Sequence, residues 1–261
     1  MPSSEKHPPP SVFIKEAERI VKDSEKKGIV LRIMGAIAIH IHCPKFAGLH
    51  LKLERLGETV FPDIDFMSIR ESRKKVSEFF EERGYTIDKA VMAIFGSKRQ
   101  IYYGNEIPMI DVFFDKLRMC HEIDFRDRIK VDYPTIPLAD LLLQKMQIVK
   151  INLKDVKDTA ILLREHDVGE SEEEIVNSRY IAKLLSKDWG FYYTVTTNLK
   201  ETKDRLPTFE ALREEDVLDI KTKIDKILDA IEREPKPMRW KMRAKVGTKK
   251  KWYTEVEEVA R

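Results

Sequence analysis

Two aspartates stand close together in an apolar stretch, and their type and spacing suit the binding of a divalent cation. Asp63 and Asp65 are two residues apart in the segment 61–68, FPDIDFMS. On a β-strand alternate side chains share a face, so both carboxylates point the same way while Ile64 and Phe66 point into the core. Two adjacent like charges repel, and a bound Mg²⁺ or Mn²⁺, which prefer oxygen ligands, would make the pair favourable.

A third carboxylate, Asp111, interrupts the apolar run MIDVFF at 109–114. If this predicted strand lies beside the one that carries Asp63 and Asp65, three carboxylates converge at one edge of a sheet. The alternative for an isolated Asp-x-Asp pair is a strand end exposed to solvent, and an aspartate within a second apolar strand argues against it. The sequence therefore predicts a cation-binding cluster of carboxylates.

A buried cation is predicted as well, at Lys145. Its helical neighbours three and four positions away are apolar: Leu141, Leu142, Ile148 and Val149. The stem of Lys145 therefore lies in the apolar stripe of a helix, and its ammonium group needs an anion. That anion is either a bound phosphate or the carboxylate of Asp155 or Asp158, and the residues leave both open.

The elements that would position these side chains follow from the apolar spacing and from the turn residues. Strands are predicted at 29–34, at 63–67 around the aspartate pair, at 91–95, 100–103 and 109–114 as an antiparallel meander, and at 129–131. Helices are predicted at 12–27, ending at Gly28, and after Ser68-x-x-Glu71, which matches a capping box, and then at 138–151, 153–165, 171–187, 189–200 and 209–234.

Strands with interspersed helices are thus followed by helices alone. This order predicts an α+β protein, with a mixed-sheet domain followed by an all-helical C-terminal domain. The predicted divisions are a disordered N-terminus at 1–10, the α+β domain at 11–137, the helical domain at 138–234 and a basic tail at 235–261.

The charge of the 261-residue chain is uneven. The net charge is +3, but the tail from Pro235 holds nine Lys or Arg against three Glu, so it carries +6 and the rest −3. The tail is a candidate for contact with a polyanion, whereas the body does not have the composition of a nucleic-acid binder. No run approaches the roughly 18 apolar residues that span a membrane, and a cytoplasmic protein is expected.

The order of these motifs resembles the nucleotidyltransferase superfold of DNA polymerase β type, and most of all its AbiEii-type and stand-alone members. The resemblance covers about residues 28–165. It rests on a strand that ends in Gly, on Asp-x-Asp in a second strand, on one more Asp in a later strand, and on a helix with a central Lys before a Lys-Asp-x-x-Asp phrase. In this chain these are Met34-Gly35-Ala36, Asp63-x-Asp65, Asp111, Lys145 and Lys154-Asp155-x-x-Asp158.

The resemblance implies an enzyme that transfers a nucleoside monophosphate from ATP, GTP or another NTP to an acceptor hydroxyl and releases pyrophosphate. Asp63 and Asp65 would hold two Mg²⁺ (or Mn²⁺) ions, and Asp111 would complete the metal site and help activate the acceptor. The backbone at Gly35 and Ala36 would approach the triphosphate, with Lys145 and Asp158 as further nucleotide-binding residues. Ala36 replaces the second Gly or Ser that is usual in the family.

The acceptor is not specified, and RNA or a protein fits this class. A toxin paired with an antitoxin-like partner belongs to it as well. The rival hypothesis is a catalytically silent module of the same fold that binds RNA or a protein through its basic tail. There, Trp240, Trp252 and Tyr253 alternate with basic residues, as on surfaces that stack bases; the alternative is a tail whose tryptophans dock on the helical domain.

Two further patterns are ambiguous. In the segment 35–43, GAIAIHIHC, the alternation of isoleucines predicts a strand, whereas the resemblance implies a helix, which we adopt. Histidines and cysteines here and near residue 120 are zinc ligands by type, but their spacing does not support a zinc site, and a non-metal role is predicted. These residues are His40, His42, Cys43, Cys120 and His121.

Overall fold

The computed structural model describes residues 7–54, 60–104 and 106–256. In these ranges the α-helices are α1 (Pro10–Lys26), α2 (Gly35–His42), α3 (Ala47–Lys52), α4 (Arg73–Glu82), α5 (Lys89–Phe95), α6 (Leu138–Met146), α7 (Leu153–Glu165), α8 (Ser178–Leu185), α9 (Trp189–Arg205), α10 (Glu214–Arg233) and α11 (Met238–Val246). The strands are β1 (Leu31–Met34), β2 (Ile64–Ser68), β3 (Thr86–Ile87), β4 (Arg99–Tyr103), β5 (Met109–Phe114), β6 (Lys116–Arg118), β7 (Glu122–Asp124), β8 (Asp167–Gly169) and β9 (Ile175–Asn177).

The central element is a five-stranded mixed sheet in the order β1-β2-β5-β4-β3. β2 and β5 are parallel, and the other neighbours are antiparallel. The protein is therefore of the predicted α+β class with a mixed sheet. β6 with β7 and β8 with β9 form separate two-stranded sheets.

The chain divides into two compact units. The first comprises residues 1–41, 56–117 and 124–136, and the second comprises 42–55, 118–123 and 137–261. The division applies to the described residues of these ranges. The predicted domain limits stay a prediction. The expected disorder of residues 1–10 falls mostly outside the described ranges, which begin at residue 7, and Pro10 is already the first residue of α1.

Aromatic side chains fill the core of the first unit. Phe80 on α4 lies 4.6 Å from the ring of Tyr102 and 6.4 Å from that of Phe66, centroid to centroid. All three rings are fully buried, and burying large aromatic groups is a main source of folding free energy. This packing fixes α4 against β2 and β4.

Several local predictions for this unit are confirmed. α1 ends at Lys26 and is followed by Gly28 with φ +66°, the left-handed conformation that glycine adopts after a helix. The segment 35–42 is the helix α2 that the resemblance implied and not the strand that its alternation favoured. The alternation failed because both sides of this helix are buried, so its apolar residues carry no helical period.

Three local predictions for the first unit are wrong. Residues 91–95 belong to helix α5, whose first turn is capped by Asp88: its carboxylate accepts the backbone N–H groups of Ala90 and Val91 at 2.9 Å each. A short apolar run fits both a strand and a helix, and here the cap decides. The segment 129–131 forms turns and not a strand.

The predicted capping box at Ser68-x-x-Glu71 is the third error. Ser68 is the last residue of β2, and its hydroxyl donates to the carbonyl oxygen of Val30 at 2.7 Å. The chain enters α4 through a 3₁₀ turn at Arg70–Ser72, where the N–H of Arg70 donates to the Asp115 carboxylate at 2.9 Å. The Asp115 carboxylate, from a distant part of the chain, thus accepts a backbone N–H at this helix start, where the sequence predicted the Ser68 side chain as the acceptor.

Helices dominate the described part of the second unit. α10 lies within the helix predicted at 209–234, and it buries Ile220, Ile224, Ile227 and Ile231 in an apolar stripe along one face. The first half of the helix predicted at 171–187 is instead a loop and strand β9, which pairs in parallel with β8. The residues from 178 onward form the helix α8.

The basic tail is packed onto the second unit through its aromatic residues. The indole N–H of Trp240 donates to the Leu185 carbonyl oxygen at 3.2 Å, and that of Trp252 donates to the hydroxyl of Thr194 at 3.1 Å. The carbonyl oxygen of Trp252 lies so close to Gly190 that a Cβ there would be 2.5 Å away. The structure therefore forms the docked arrangement that the sequence allowed.

Among the described residues, no helix is long and apolar enough to span a bilayer.

Candidate active site

Asp65 and Asp111 lie side by side on the two central strands of the sheet. β2 and β5 pair in parallel with Asp65 opposite Asp111 in the register, so the two side chains project from the same face. The strand pairing on which the predicted carboxylate cluster depended is therefore present. Asp111 is almost fully buried and Asp65 is half-buried.

Asp63 comes directly before β2, two residues ahead of Asp65, and its side chain is also buried. The charges of Asp111, Asp65 and Asp63, in decreasing order, all act on the guanidinium group of Arg99. The three predicted metal ligands therefore all lie within electrostatic range of the same guanidinium group.

Arg99, at the start of β4, binds Asp111. Its Nε lies 2.9 Å and 3.0 Å from the two carboxylate oxygens, and its Nη2 also donates to Oδ2, which is the bidentate geometry that guanidinium and carboxylate favour. Burial lowers the pKa of Arg99, but the hydrogen bonds and charge of Asp111 outweigh it, and the pKa is raised. The carboxylate of Asp111 is therefore held in a fixed orientation by Arg99.

Arg99 was not predicted as a site residue from the sequence. Its partner in the antiparallel register is Phe113, which makes Asp111 its diagonal neighbour on the same face, within reach of a long side chain. The available signal was a basic residue just before a predicted strand adjacent to β5. That signal was unused because the predicted strand began one residue later.

Gly35 marks the point where β1 turns into α2, next to Asp65. Met34, the last residue of β1, pairs with Asp65, and Gly35 follows with φ +71°. A Cβ at this position would lie 2.6 Å from Oδ2 of Asp65, closer than real side chains approach. Glycine is therefore required both by the left-handed backbone and by the Asp65 carboxylate. The backbone N–H groups of Gly35 and Ala36 belong to the first turn of α2.

Lys145 and Asp158, both in the second unit, form a buried ionic cluster. The ammonium group of Lys145 lies 2.8 Å from Oδ2 of Asp158 and 3.1 Å from Oδ1 of Asp155. Nε2 of His50 lies 2.9 Å from Oδ1 of Asp158. The structure thus forms the carboxylate pairing that the sequence left open beside the phosphate contact, and the nucleotide-binding role of both residues stays a prediction.

The histidines and cysteines that resembled zinc ligands have structural contacts. The Cys43 thiol is directed at the Ile161 carbonyl oxygen, 3.8 Å away, and burial, together with nearby carboxylates, raises its pKa. The Cys120 sulfur accepts the backbone N–H of Val149 at 3.5 Å. His121 is buried against Thr194. His42 lies beside His166 and Glu174, which the sequence analysis did not consider.

The carboxylates, the arginine and the glycine turn together suit the binding of cations and of a charged ligand at one edge of the sheet. Oxygen ligands on rigid strands select hard divalent ions, and the start of a helix directs backbone N–H groups toward an anion. Arg99 supplies a fixed positive charge at the same place.

Comparisons with known proteins give little to set beside this geometry. No protein-family model matches the chain, and no curated protein matches it. Among solved structures, the chain is similar to the solution structure of the antibiotic-resistance factor ANT(2'')-Ia, with 11% sequence identity and a TM-score of 0.38. That match covers 67% of this chain and 94% of the other. A similarity of this degree assigns neither a family nor a residue role to this protein.

Proposed function

We propose that the protein is a metal-dependent nucleotidyltransferase, which transfers a nucleoside monophosphate from an NTP to an acceptor hydroxyl and releases pyrophosphate. The observation that carries the proposal is the register of β2 and β5. It places Asp65 beside Asp111, with Gly35 packed against the Asp65 carboxylate. Two carboxylates on adjacent strands can hold divalent cations for phosphoryl transfer, and the glycine turn leaves room for the Asp65 carboxylate.

The donor set fits Mg²⁺ or Mn²⁺. Asp63, Asp65 and Asp111 offer only oxygen atoms, and three negative charges stand against the single positive charge of Arg99. Asp63 and Asp65 would hold the ions, and Asp111, which is bound by Arg99, would complete the metal site. When bound, such ions stabilise the negative charge on the attacking and leaving oxygens of phosphoryl transfer.

The remaining steps fall to the residues of the chain. In the proposed reaction Asp111, fixed by Arg99, accepts the proton of the acceptor hydroxyl. Gly35 keeps space for Asp65 and lets the N–H groups of Gly35 and Ala36 approach the triphosphate. The role predicted for Lys145 adds a phosphate contact to the ion pairs that its ammonium group makes with Asp155 and Asp158.

The test is a transfer assay with each NTP labelled at the α-phosphate. The protein is incubated with Mg²⁺ or Mn²⁺ and with total RNA or a cell extract, and labelled acceptors are separated by size and by nuclease and protease sensitivity. Asp65→Asn is expected to lower the rate about 100-fold or more, because losing roughly 3 kcal/mol of transition-state stabilisation costs a factor of that size.

Asp127→Asn is the matched control, because Asp127 is an exposed aspartate of the same unit outside the carboxylate group. It should leave the rate unchanged. The proposal fails if no label moves with any NTP and calorimetry detects no Mg²⁺-dependent NTP binding. Equal rates for wild type and Asp65→Asn would also exclude it.

A second candidate, a catalytically silent binding module, is favoured by one observation. Both carboxylate oxygens of Asp111 are engaged by Arg99, as in a structural ion pair. In this case RNA or a partner protein, which includes an antitoxin-like one, would bind through the exposed lysines of the tail, such as Lys241, Lys245 and Lys249. Salt-dependent RNA binding that survives Asp65→Asn, without any transfer, identifies this module.

A further inference from the structure

Two histidines and a glutamate of the second unit converge outside the carboxylate group on the sheet. His42 ends α2, His166 directly follows α7, and Glu174 directly precedes β9. Nδ1 of His42 lies 3.5 Å from Oε1 of Glu174, and Nδ1 of His166 lies 3.5 Å from Oε2 of the same carboxylate. The ligand-type atoms of the three residues all lie within 4.8 Å of one another.

These distances match the geometry of a zinc site. Bonds of about 2.0–2.2 Å in a tetrahedron place neighbouring ligand atoms roughly 3.3–3.6 Å apart. The two imidazole–carboxylate separations, each of 3.5 Å and each to a different oxygen of Glu174, lie in that range. The three side chains could therefore accept a small cation without a change of the backbone.

His166 has a hydrogen-bonding problem that a cation would solve. Its Nε2 lies 3.0 Å from the carbonyl oxygen of His42, and its Nδ1 lies 3.1 Å from the carbonyl oxygen of Glu174. A neutral imidazole has a single N–H, so at one of these contacts a nitrogen lone pair faces an oxygen lone pair. If Nε2–H donates to His42, the lone pair of Nδ1 points at Glu174 and is available to a metal ion, as in many metal sites where the other ring nitrogen is held by a carbonyl group.

The backbone of Glu174 is strained in a way that serves the same arrangement. Its φ is +51°, a left-handed conformation that is costly for residues other than glycine. This conformation turns both its carbonyl oxygen and its carboxylate toward His166. Both imidazoles are buried, whereas the Glu174 side chain is 67% exposed, so the carboxylate covers the histidines from the solvent side.

The surroundings favour a positive ion with a free coordination position. The three residues line a cleft of about 370 Å³, whose wall also includes Glu165, Asp167 and Lys45. With Glu174, the acidic side chains of the wall outnumber the basic one. A set of three protein ligands beside an open cleft leaves the fourth position to water or a small ligand, as in zinc sites that are not purely structural.

We propose that His42, His166 and Glu174 form a binding site for Zn²⁺ or a similar first-row divalent cation. The mixed nitrogen and oxygen ligands suit zinc better than Mg²⁺. The bound ion links the end of α2, the end of α7 and the start of β9. It is made of residues other than Asp63, Asp65 and Asp111, and it is independent of the proposed transferase activity.

The test is a metal titration of the full chain after removal of metals with a chelator. Zn²⁺ affinity is measured by competition with a chromophoric chelator, and Co²⁺ reports the geometry through its visible absorption. All variants carry Asp65→Asn, which weakens the competing carboxylate group on the sheet. We expect one equivalent of tightly bound Zn²⁺, tetrahedral Co²⁺ bands and a rise in the melting temperature with Zn²⁺.

Glu174→Gln should weaken Zn²⁺ binding by at least about 10-fold, since the loss of mere outer partners already costs 10–100-fold. Its exposed side chain makes unfolding of this variant unexpected, so it remains informative if His166→Ala does not fold. Glu173→Gln changes the adjacent exposed carboxylate and should bind Zn²⁺ like the parent. Absence of Zn²⁺ binding, octahedral Co²⁺ spectra, or equal affinities for Glu174→Gln and Glu173→Gln would overturn the proposal.

Discussion

At the scale of single residues, the candidate active site depends on how few atoms can occupy the space beside Asp65. Gly35 has a left-handed backbone and approaches Oδ2 of Asp65 so closely that even a methyl group would collide with it. Asp111 is fixed by a bidentate arginine. Neighbouring groups thus hold both carboxylates in place, and their side chains are not free to rotate.

Replacing Gly35 by alanine should therefore damage both stability and activity. The left-handed φ adds about 1–2 kcal/mol of strain for any residue with a Cβ, and the contact with Asp65 adds a further cost and displaces the carboxylate. Urea unfolding and the transfer assay measure the two effects.

Gly28→Ala is the control for this prediction. Gly28 has nearly the same φ, +66°, but a Cβ there meets no atom within 4 Å. It should show the backbone cost alone and keep full activity. Equal losses of stability in the two variants would show that the contact with Asp65 has no energetic effect.

At the scale of elements, side chains from other parts of the chain decide how helices and strands are held. The loop between β6 and β7 is held to α9 within the second unit by His121. Its Nε2–H donates to the hydroxyl of Thr194 at 2.8 Å, since that hydroxyl donates in turn to the Gly190 carbonyl oxygen at 3.2 Å. The imidazole also stacks on Phe191, with ring centroids 4.9 Å apart.

This contact should make the stability of the second unit depend on pH. Burial lowers the pKa of His121 to about 4, although the charge of Asp188 opposes the shift. Because the folded pKa lies below the unfolded value of about 6.5, the contribution is complete above pH 6.5 and is lost as the pH falls through about 4, with an upper limit of roughly 3 kcal/mol.

His121→Gln keeps an N–H donor but does not titrate, so its stability should fall less than that of wild type between pH 6.5 and 4. Chemical unfolding at several pH values provides the measurement. His7→Gln, at an exposed histidine, should follow wild type. A His121→Gln curve parallel to that of wild type over this interval would contradict the assignment.

At the scale of the whole molecule, the chain forms two compact units, and its basic tail belongs to the folded part of the second. Trp252 packs against Tyr193 with ring centroids 5.2 Å apart and hydrogen-bonds Thr194. Lys241, Lys245 and Lys249 of the same segment stay exposed. The tail therefore separates two roles, since its aromatic residues serve folding and its charges are available to a partner.

Trp252→Ala should accordingly destabilise the second unit by about 2 kcal/mol, below the usual cost for a fully buried tryptophan because this one is half-buried. Replacing Lys241, Lys245 and Lys249 together by glutamine should leave the unfolding free energy unchanged within about 0.5 kcal/mol. Urea unfolding distinguishes the two variants. A tail whose tryptophan is as dispensable as its lysines would not be part of the fold.

The sequence alone identified the residues whose type and spacing suit cation binding and catalysis, and it predicted the α+β class. Asp63, Asp65 and Asp111 are conspicuous because carboxylates are costly within apolar strands. The helix α10 was predictable because its apolar residues recur with the 3.6-residue period of a helix, which is a local property of the sequence. Lys145 was likewise recognised as a buried cation, although the choice between a phosphate and the carboxylates of Asp155 and Asp158 was left open.

The tertiary structure decided what these residues meet. Only the pairing of β2 with β5 shows that Asp65 and Asp111 are neighbours, and only the packing of the second unit gives Lys145 two carboxylates. Arg99, the cap of α5 and the grouping of His42, His166 and Glu174 were not predicted. Each depends on which segments contact one another and in which strand register. A local sequence pattern does not encode these contacts, because the packing of the whole core selects side-chain partners across a sheet or between helices.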